Sequence, residues 1–279
     1  MQVSRCEQLL YFRKNPLRLC QSSGANVTTS GTQTYAGAVT LSGGDRTLTG
    51  STINTQSTLA GGSNALTITG AADIDGAFTG ITNLSVSGTS NIGANITTTG
   101  TQTYTGAVTL ISDTAFTTTN SQIAFGSTVN SNAGSNFSLT TNTGSSTSVF
   151  SGLVGGVQPL SVLTTNGNAS IAANINTTGN QTYSGNVVLT SESTTFTTTT
   201  GNVTVTGNVS STFTTPANYN DVYQFLGNGY YSFNSPTNAT RILATGTADA
   251  NGVSWNNGTS VYTFNKPSAV TSGIILVVG

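Results

Sequence analysis

The sequence contains no histidine, and charged residues make up only 5% of its 279 positions, against roughly a quarter in an ordinary soluble domain. Without histidine the commonest general base and metal ligand is missing, and the Ser-His-Asp reading of its many serines goes with it. Seven Lys and Arg against eight Asp and Glu leave a formal net charge of −1, which provides no electrostatic footprint for nucleic acid as a partner. No apolar run approaches the roughly 20 residues that cross a bilayer as a helix. Both cysteines, Cys6 and Cys20, lie near the amino terminus, so no disulfide framework supports the main body.

What fills the vacated space is Thr, Ser, Gly and Asn, a composition that raises disorder as the first reading to test. Leu, Ile, Val and Phe supply slightly more than a fifth of the chain, and the net charge is near zero, so neither compositional sign of disorder is met. Residues 1–24 differ from the rest, with Arg5, Arg13, Lys14 and Arg18 crowded into them. Their longest apolar run, "LLYF", falls short of the roughly 7–15 residue core of a secretion signal. The segment reads as an atypical, poorly ordered amino terminus. Cys6 and Cys20 are either a pair formed in an oxidising compartment or two ordinary thiols.

The main body repeats itself. "NVTTSGTQTYAGAVTL" at 26–41, "NITTTGTQTYTGAVTL" at 95–110 and "NINTTGNQTYSGNVVL" at 174–189 are identical at nine of 16 positions, and the second interval between them is longer than the first. A unit of variable length requires a shorter structural quantum. In an extended strand, Tyr104, Val108 and Leu110 point to one face, as do Tyr35, Val39 and Leu41, and Tyr183, Val187 and Leu189. Gly37, Gly106 and Gly185 share that parity and suit a bend beside the bulky Tyr. Gln33, Gln102 and Gln181 share it too: either the strand turns before them, or a buried amide must find hydrogen-bond partners.

Between the copies, apolar clusters return at short, regular intervals, from Leu48, Ile53 and Leu59 to Phe125, Phe137 and Phe150. That spacing fits a sandwich, a barrel or a solenoid, and the repetition favours copies stacked on one axis. Residues 25–212 are therefore expected to form a parallel β-solenoid of about eight coils, each of roughly 20–25 residues and rising about 4.8 Å. Stacking also explains the missing charge, because like charges on successive coils repel where Asn, Thr or Ser form ladders. Asn26, Asn95 and Asn174 are candidate turn residues, since Asn tolerates left-handed backbone. The foreign amino-terminal segment cuts into the first copy's pattern, as in a chain that begins inside a larger array.

Residues 213–279 hold three of the five prolines, Pro216, Pro236 and Pro267, and no Gln-Thr-Tyr phrase. "NYNDVYQFLGNGYYSF" at 218–233 reads as paired strands around a Gly-Asn-Gly turn, in a β module or cap. Tyr230, Tyr231, Phe233 and Trp255 form either a small core or a patch that stacks on sugars.

The three copies, with "VFSGLVGGVQPLSVLTTNGNASI" at 149–171, resemble the Thr/Gly/Asn-rich β-strand repeats of large bacterial surface proteins, the filamentous-haemagglutinin-like and autotransporter adhesins. The resemblance covers 25 to about 212. It implies an all-β, right-handed parallel β-helix at or released from the cell surface, working in adhesion to a host or cell-surface receptor or glycan. This chain shows no signal peptide, amino-terminal secretion module or translocating barrel of that family.

Carboxylates are the remaining source of chemistry: Glu7, Asp45, Asp73, Asp75, Asp113, Glu192, Asp221 and Asp249. Asp73 and Asp75 in "ADIDG" share a strand face, as a metal or acid/base pair would, yet a metal site needs more converging oxygens and a solvated turn accounts for both. The sequence thus assigns no catalytic, cofactor-binding or metal-binding residue. Pairs such as Thr101/Thr103, Thr67/Thr69 and Thr204/Thr206 raise ice binding, which requires them at one strand position on every coil. The expected function is a non-enzymatic structural or adhesive segment; the alternatives are a carbohydrate-active β-helix enzyme, a phage-type polysaccharide-binding protein, and an ice-binding solenoid.

Overall fold

A computed structural model describes residues 22–191 and 194–212 throughout, and five further strands: Val222–Phe225, Gly229–Ser232, Val253–Asn256, Val261–Asn265 and Ile274–Ile275. Of the atypical segment 1–24, residues 1–21, with Cys6 and Cys20, lie outside the described residues, while Ser22–Ser23 form a strand paired in parallel with Thr40–Leu41. The body is a parallel β-solenoid of about nine turns with no helix. Hence no helix among the described residues is long and apolar enough to cross a membrane.

Its quantum is visible in the second copy of the phrase. Ile96–Thr98, Gln102–Tyr104 and Val108–Leu110 are short strands of equal length, evenly spaced along the chain. Each is followed by a bend, at 99–100, at Gly106 and at 111–112 in turn. Three such units close one coil, so Tyr104 lies in register with Val86. The coil from Phe125 to Phe150 is longer because its turns are longer. The shortest coils, such as Val86 to Tyr104, fall below the expected length, and there are about nine of them rather than eight.

The strands stack into three faces. Face one runs upward through Val27, Leu48, Ile68, Val86, Tyr104, Phe125, Phe150, Ile171 and Leu189. Face two runs through Gln33, Ile53, Ala72, Ser90, Val108, Val129, Val154, Ile175 and Phe196. Face three runs through Val39, Leu59, Phe78, Ile96, Phe116, Thr141, Thr165, Tyr183 and Val205.

The Gln-Thr-Tyr phrases do not stack on one another. Gln33–Tyr35 lies on face two, Gln102–Tyr104 on face one and Gln181–Tyr183 on face three. From Val27 to Ile96 the chain visits the faces in strict rotation through eleven strand positions, and again through eleven from Ile96 to Ile175. The repeat is therefore constant in strands, three and two-thirds turns, and variable only in the turns. Each copy is one coil, started one face earlier than the last.

Inward side chains fill the rod. Tyr104, Phe125 and Phe150 stack face to face up face one, with centroids 5.5 and 5.3 Å apart, and Phe116 meets Tyr104 edge-on at 5.3 Å. Burying each such side chain is worth roughly 1.5–3 kcal/mol. Between residues 139 and 171 the filling changes: Thr141, Ser148 and Thr165 are fully buried, and the Ser148 hydroxyl donates to Thr141 Oγ1 at 2.7 Å.

Asparagine ties coil to coil. Oδ1 of Asn26, Asn95 and Asn174 accepts the backbone N–H of Thr47, Ala115 and Thr195 at 2.9, 2.8 and 2.8 Å, each on the next coil. They are clamps and not left-handed turns, since the non-glycine residues with positive φ among those described are Ser63 and Asn120. True ladders form as well: Asn168 Oδ1 accepts from Asn186 N–H and Asn186 Oδ1 from Asn208 N–H, while Asn166 Nδ2 donates to Asn142 Oδ1.

Candidate functional site

The recurring phrase builds the same buried network in each copy. In the second, the Tyr104 hydroxyl donates to Gln102 Oε1 at 3.1 Å. Gln102 Nε2 donates to the Ile96 carbonyl at 3.2 Å and, one coil above, to the Thr117 carbonyl at 2.9 Å. It also reaches Thr98 Oγ1 at 3.3 Å, whose own hydroxyl donates to the Gly100 carbonyl at 2.7 Å. Tyr183, Gln181, Thr177 and Gly179 repeat these bonds, with Gln181 Nε2 on the Thr197 carbonyl at 2.8 Å. So do Tyr35, Gln33, Thr29 and Gly31, with Gln33 Nε2 on the Thr49 carbonyl at 2.6 Å.

The buried amide therefore finds its partners in the solenoid wall, and the strand does not turn to expose it. Burial pushes the Tyr35 phenol up to about 12 and those of Tyr104 and Tyr183 well above their ordinary value. A proton held so firmly, on a ring sealed in the core, is placed to brace the wall and not to exchange with a substrate. Thr29, Thr98 and Thr177 share the parity of the Gln and Tyr and are identical in all three copies, but only winding brings each against the Gln amide.

The carboxylates divide into two kinds. Asp45 Oδ1 accepts the Ala65 N–H and Asp113 Oδ1 the Ser138 N–H, both at 2.8 Å on the next coil, so these acids stand in for asparagine as clamps. Asp73 and Asp75 do lie close together at the edge of face two. Desolvation raises the Asp73 pKa, the charge of Asp75 raises it further, and a hydrogen bond from Asn91 lowers it. Asp73 is half-buried and Asp75 exposed. Among the described residues no group of three or more His, Cys, Asp or Glu is placed to hold a metal. Glu7, Glu192, Asp221 and Asp249 lie outside them.

The threonine pairs do not form one array. Thr67 and Thr103 share a column of face one with Thr47 and Ser85, but that column continues as Ala124 and Val149, and Thr204 belongs to face three. Of the carboxy-terminal aromatics, Tyr230, Tyr231 and Trp255 fall in strands Gly229–Ser232 and Val253–Asn256, and Phe233 lies outside the described residues. The arrangement as a whole is a wall whose polar groups bind one coil to the next. Compared with protein-family models, curated proteins and solved structures, the chain matches none.

Proposed function

We propose that residues 25–212 are a non-enzymatic stalk of a bacterial surface or secreted repeat protein, which extends away from its attachment and presents surface to a host or cell-surface receptor or glycan. The observation that carries this reading is the use made of the polar side chains: Asn, Asp and Gln at recurring positions hold successive coils together. Such a wall grows by adding coils, and its length is its adjustable property. The resemblance to adhesin repeats points to the same role.

A second reading, a carbohydrate-active β-helix, draws on Asp73 and Asp75: desolvation raises the Asp73 pKa and the charge of Asp75 raises it further. One assay separates the two. The purified chain is incubated with a panel of bacterial and host polysaccharides and scored for both binding and release of reducing ends. The stalk reading expects no release, with any binding unaffected by Asp73→Asn; release that Asp73→Asn abolishes would overturn it in favour of the enzyme.

A further inference from the structure

Each end of a parallel solenoid leaves strands with an unsatisfied hydrogen-bonding edge, a template for further strands. At the upper end, Phe196, Val203 and Val205 are nevertheless as buried as residues in mid-rod. Backbone pairing accounts for the cover. Val261–Asn265 runs antiparallel along Asn202–Val205 on face three, with Phe264 opposite Val203 and Tyr262 opposite Val205. Ile274–Ile275 runs antiparallel along Thr195–Phe196 on face two. Val253–Asn256 pairs antiparallel with the far edge of 261–265.

The strand pairs that build the coils below are parallel. A strand that enters antiparallel reverses the chain direction, so it cannot lead into the next face in the sense of the coil beneath it. Winding stops where it binds. On face one, Val209–Ser211 pairs below with Val187–Leu189, and no strand pairs above it among the described residues. Val209 is correspondingly less well covered, at 6% exposure against 0% for Val205.

From this arrangement we infer that the antiparallel strands within residues 253–275 are a displaceable cap over an edge that accepts a second copy of this chain. With 261–265 displaced, the last coil takes the first described coil of another molecule in parallel register, and rods lengthen end to end. The occupant is a second copy because the edge carries this fold's own spacing. The face that ends at Asn202–Val205 begins at Ser22–Ser23, which pairs in parallel beneath Thr40–Leu41, and the column ending at Phe196 begins at Gln33. The clamp ladders also arrive there, with Asn202 and Asn208 next in line as acceptors for the backbone N–H of a following coil. This inference concerns assembly and stands apart from the stalk reading.

The full chain carrying Thr263→Pro, which loses a ladder donor and clashes within the capping strand, is compared with the unaltered chain by light scattering over a range of concentrations. Circular dichroism checks that the rod is intact. The variant is expected to at least double its mass as concentration rises while the unaltered chain does not; a folded variant that stays monomeric at every concentration overturns the inference. Should the variant fail to fold, Thr204→Cys with Thr263→Cys, in a chain whose Cys6 and Cys20 are serine, tests the same edge. The oxidised form should stay monomeric under mild heating that lets the reduced form lengthen. Equal behaviour of the two forms, or failure of the pair to oxidise, overturns it.

Discussion

The copies at 26–41 and 95–110 differ only at Val27, Ser30 and Ala36, which become Ile96, Thr99 and Thr105, yet they occupy different settings. The first lies at the lower end of the described rod, with only Ser22–Ser23 paired beneath it; the second lies in mid-rod, with coils on both sides. Gln102 and Tyr104 are completely buried, whereas Gln33 and Tyr35 keep slight exposure, at 2% and 3%. A Cβ on Gly106 would sit 2.4 Å from the Gly88 carbonyl oxygen one coil below, and one on Gly37 would meet nothing within 4 Å. The phrase thus specifies a coil, while the neighbouring coils decide how much each of its residues is worth.

Breaking the amide network should separate the two settings most. Gln102→Ala strands the Tyr104 hydroxyl and two backbone carbonyls in the core and leaves a cavity, a cost of about 4 kcal/mol. Gln33→Ala, at the end of the rod where water reaches the freed groups more readily, should cost about half as much. Chemical denaturation of the two variants checks this, and equal losses would remove the distinction.

The glycines come next. Gly106→Ala drives a methyl into backbone and should destabilise by about 3 kcal/mol, while Gly37→Ala should be neutral or stabilise by a few tenths through the unfolded chain. Gly185→Ala should follow Gly106→Ala, since its Cβ would lie 2.5 Å from the Gly167 carbonyl oxygen. Thermal unfolding of the three variants gives the order directly.

Alkaline pH probes the same contrast without mutation. All three phenols have folded pKa values above the unfolded value near 10, so the stability they contribute is fully present below pH 10 and is lost as pH rises through the folded values. Tyr35 should titrate at about 12, and Tyr104 and Tyr183 only as the rod unfolds. Phenolate absorbance followed beside circular dichroism should show one early step and two that coincide with unfolding.

The smallest effect belongs to Asp73. Its folded pKa is raised, so its contribution is present at acid pH and lost as pH rises through that value. Asp73→Asn should therefore remove this dependence and stabilise at neutral pH by only a few tenths of a kcal/mol, because the site is largely solvent-screened. Urea unfolding at acid and neutral pH measures it.

Particular positions show what was legible in the sequence. Alternation of Tyr104, Val108 and Leu110 predicted their burial, and the recurring phrase predicted a solenoid, because both follow from local geometry. The clamps also left a mark: Asn26, Asn95 and Asn174 were singled out, though for a backbone conformation they do not adopt. What periodicity could not reveal was the angular position of each copy. The unequal intervals between copies hide a constant count of strand positions, since loops such as 155–159, between Val154 and Leu160 on face two, lengthen the chain without adding a strand position to the coil. Likewise Thr98 shares the inward parity of Tyr104, but its contact with Gln102 shows only once the chain is wound.

That the three copies face three ways around one axis can be measured by distance. Spin labels on the outward positions 85 and 103, paired in register on face one, should lie about 5 Å apart and broaden each other's spectra strongly. Labels at 34 and 103, equivalent positions of two copies, are separated by three and two-thirds turns and a change of face, a rise of about 17 Å before the lateral offset is added. We predict strong broadening for the first pair and little for the second. Strong broadening between 34 and 103, or none between 85 and 103, would contradict the winding described.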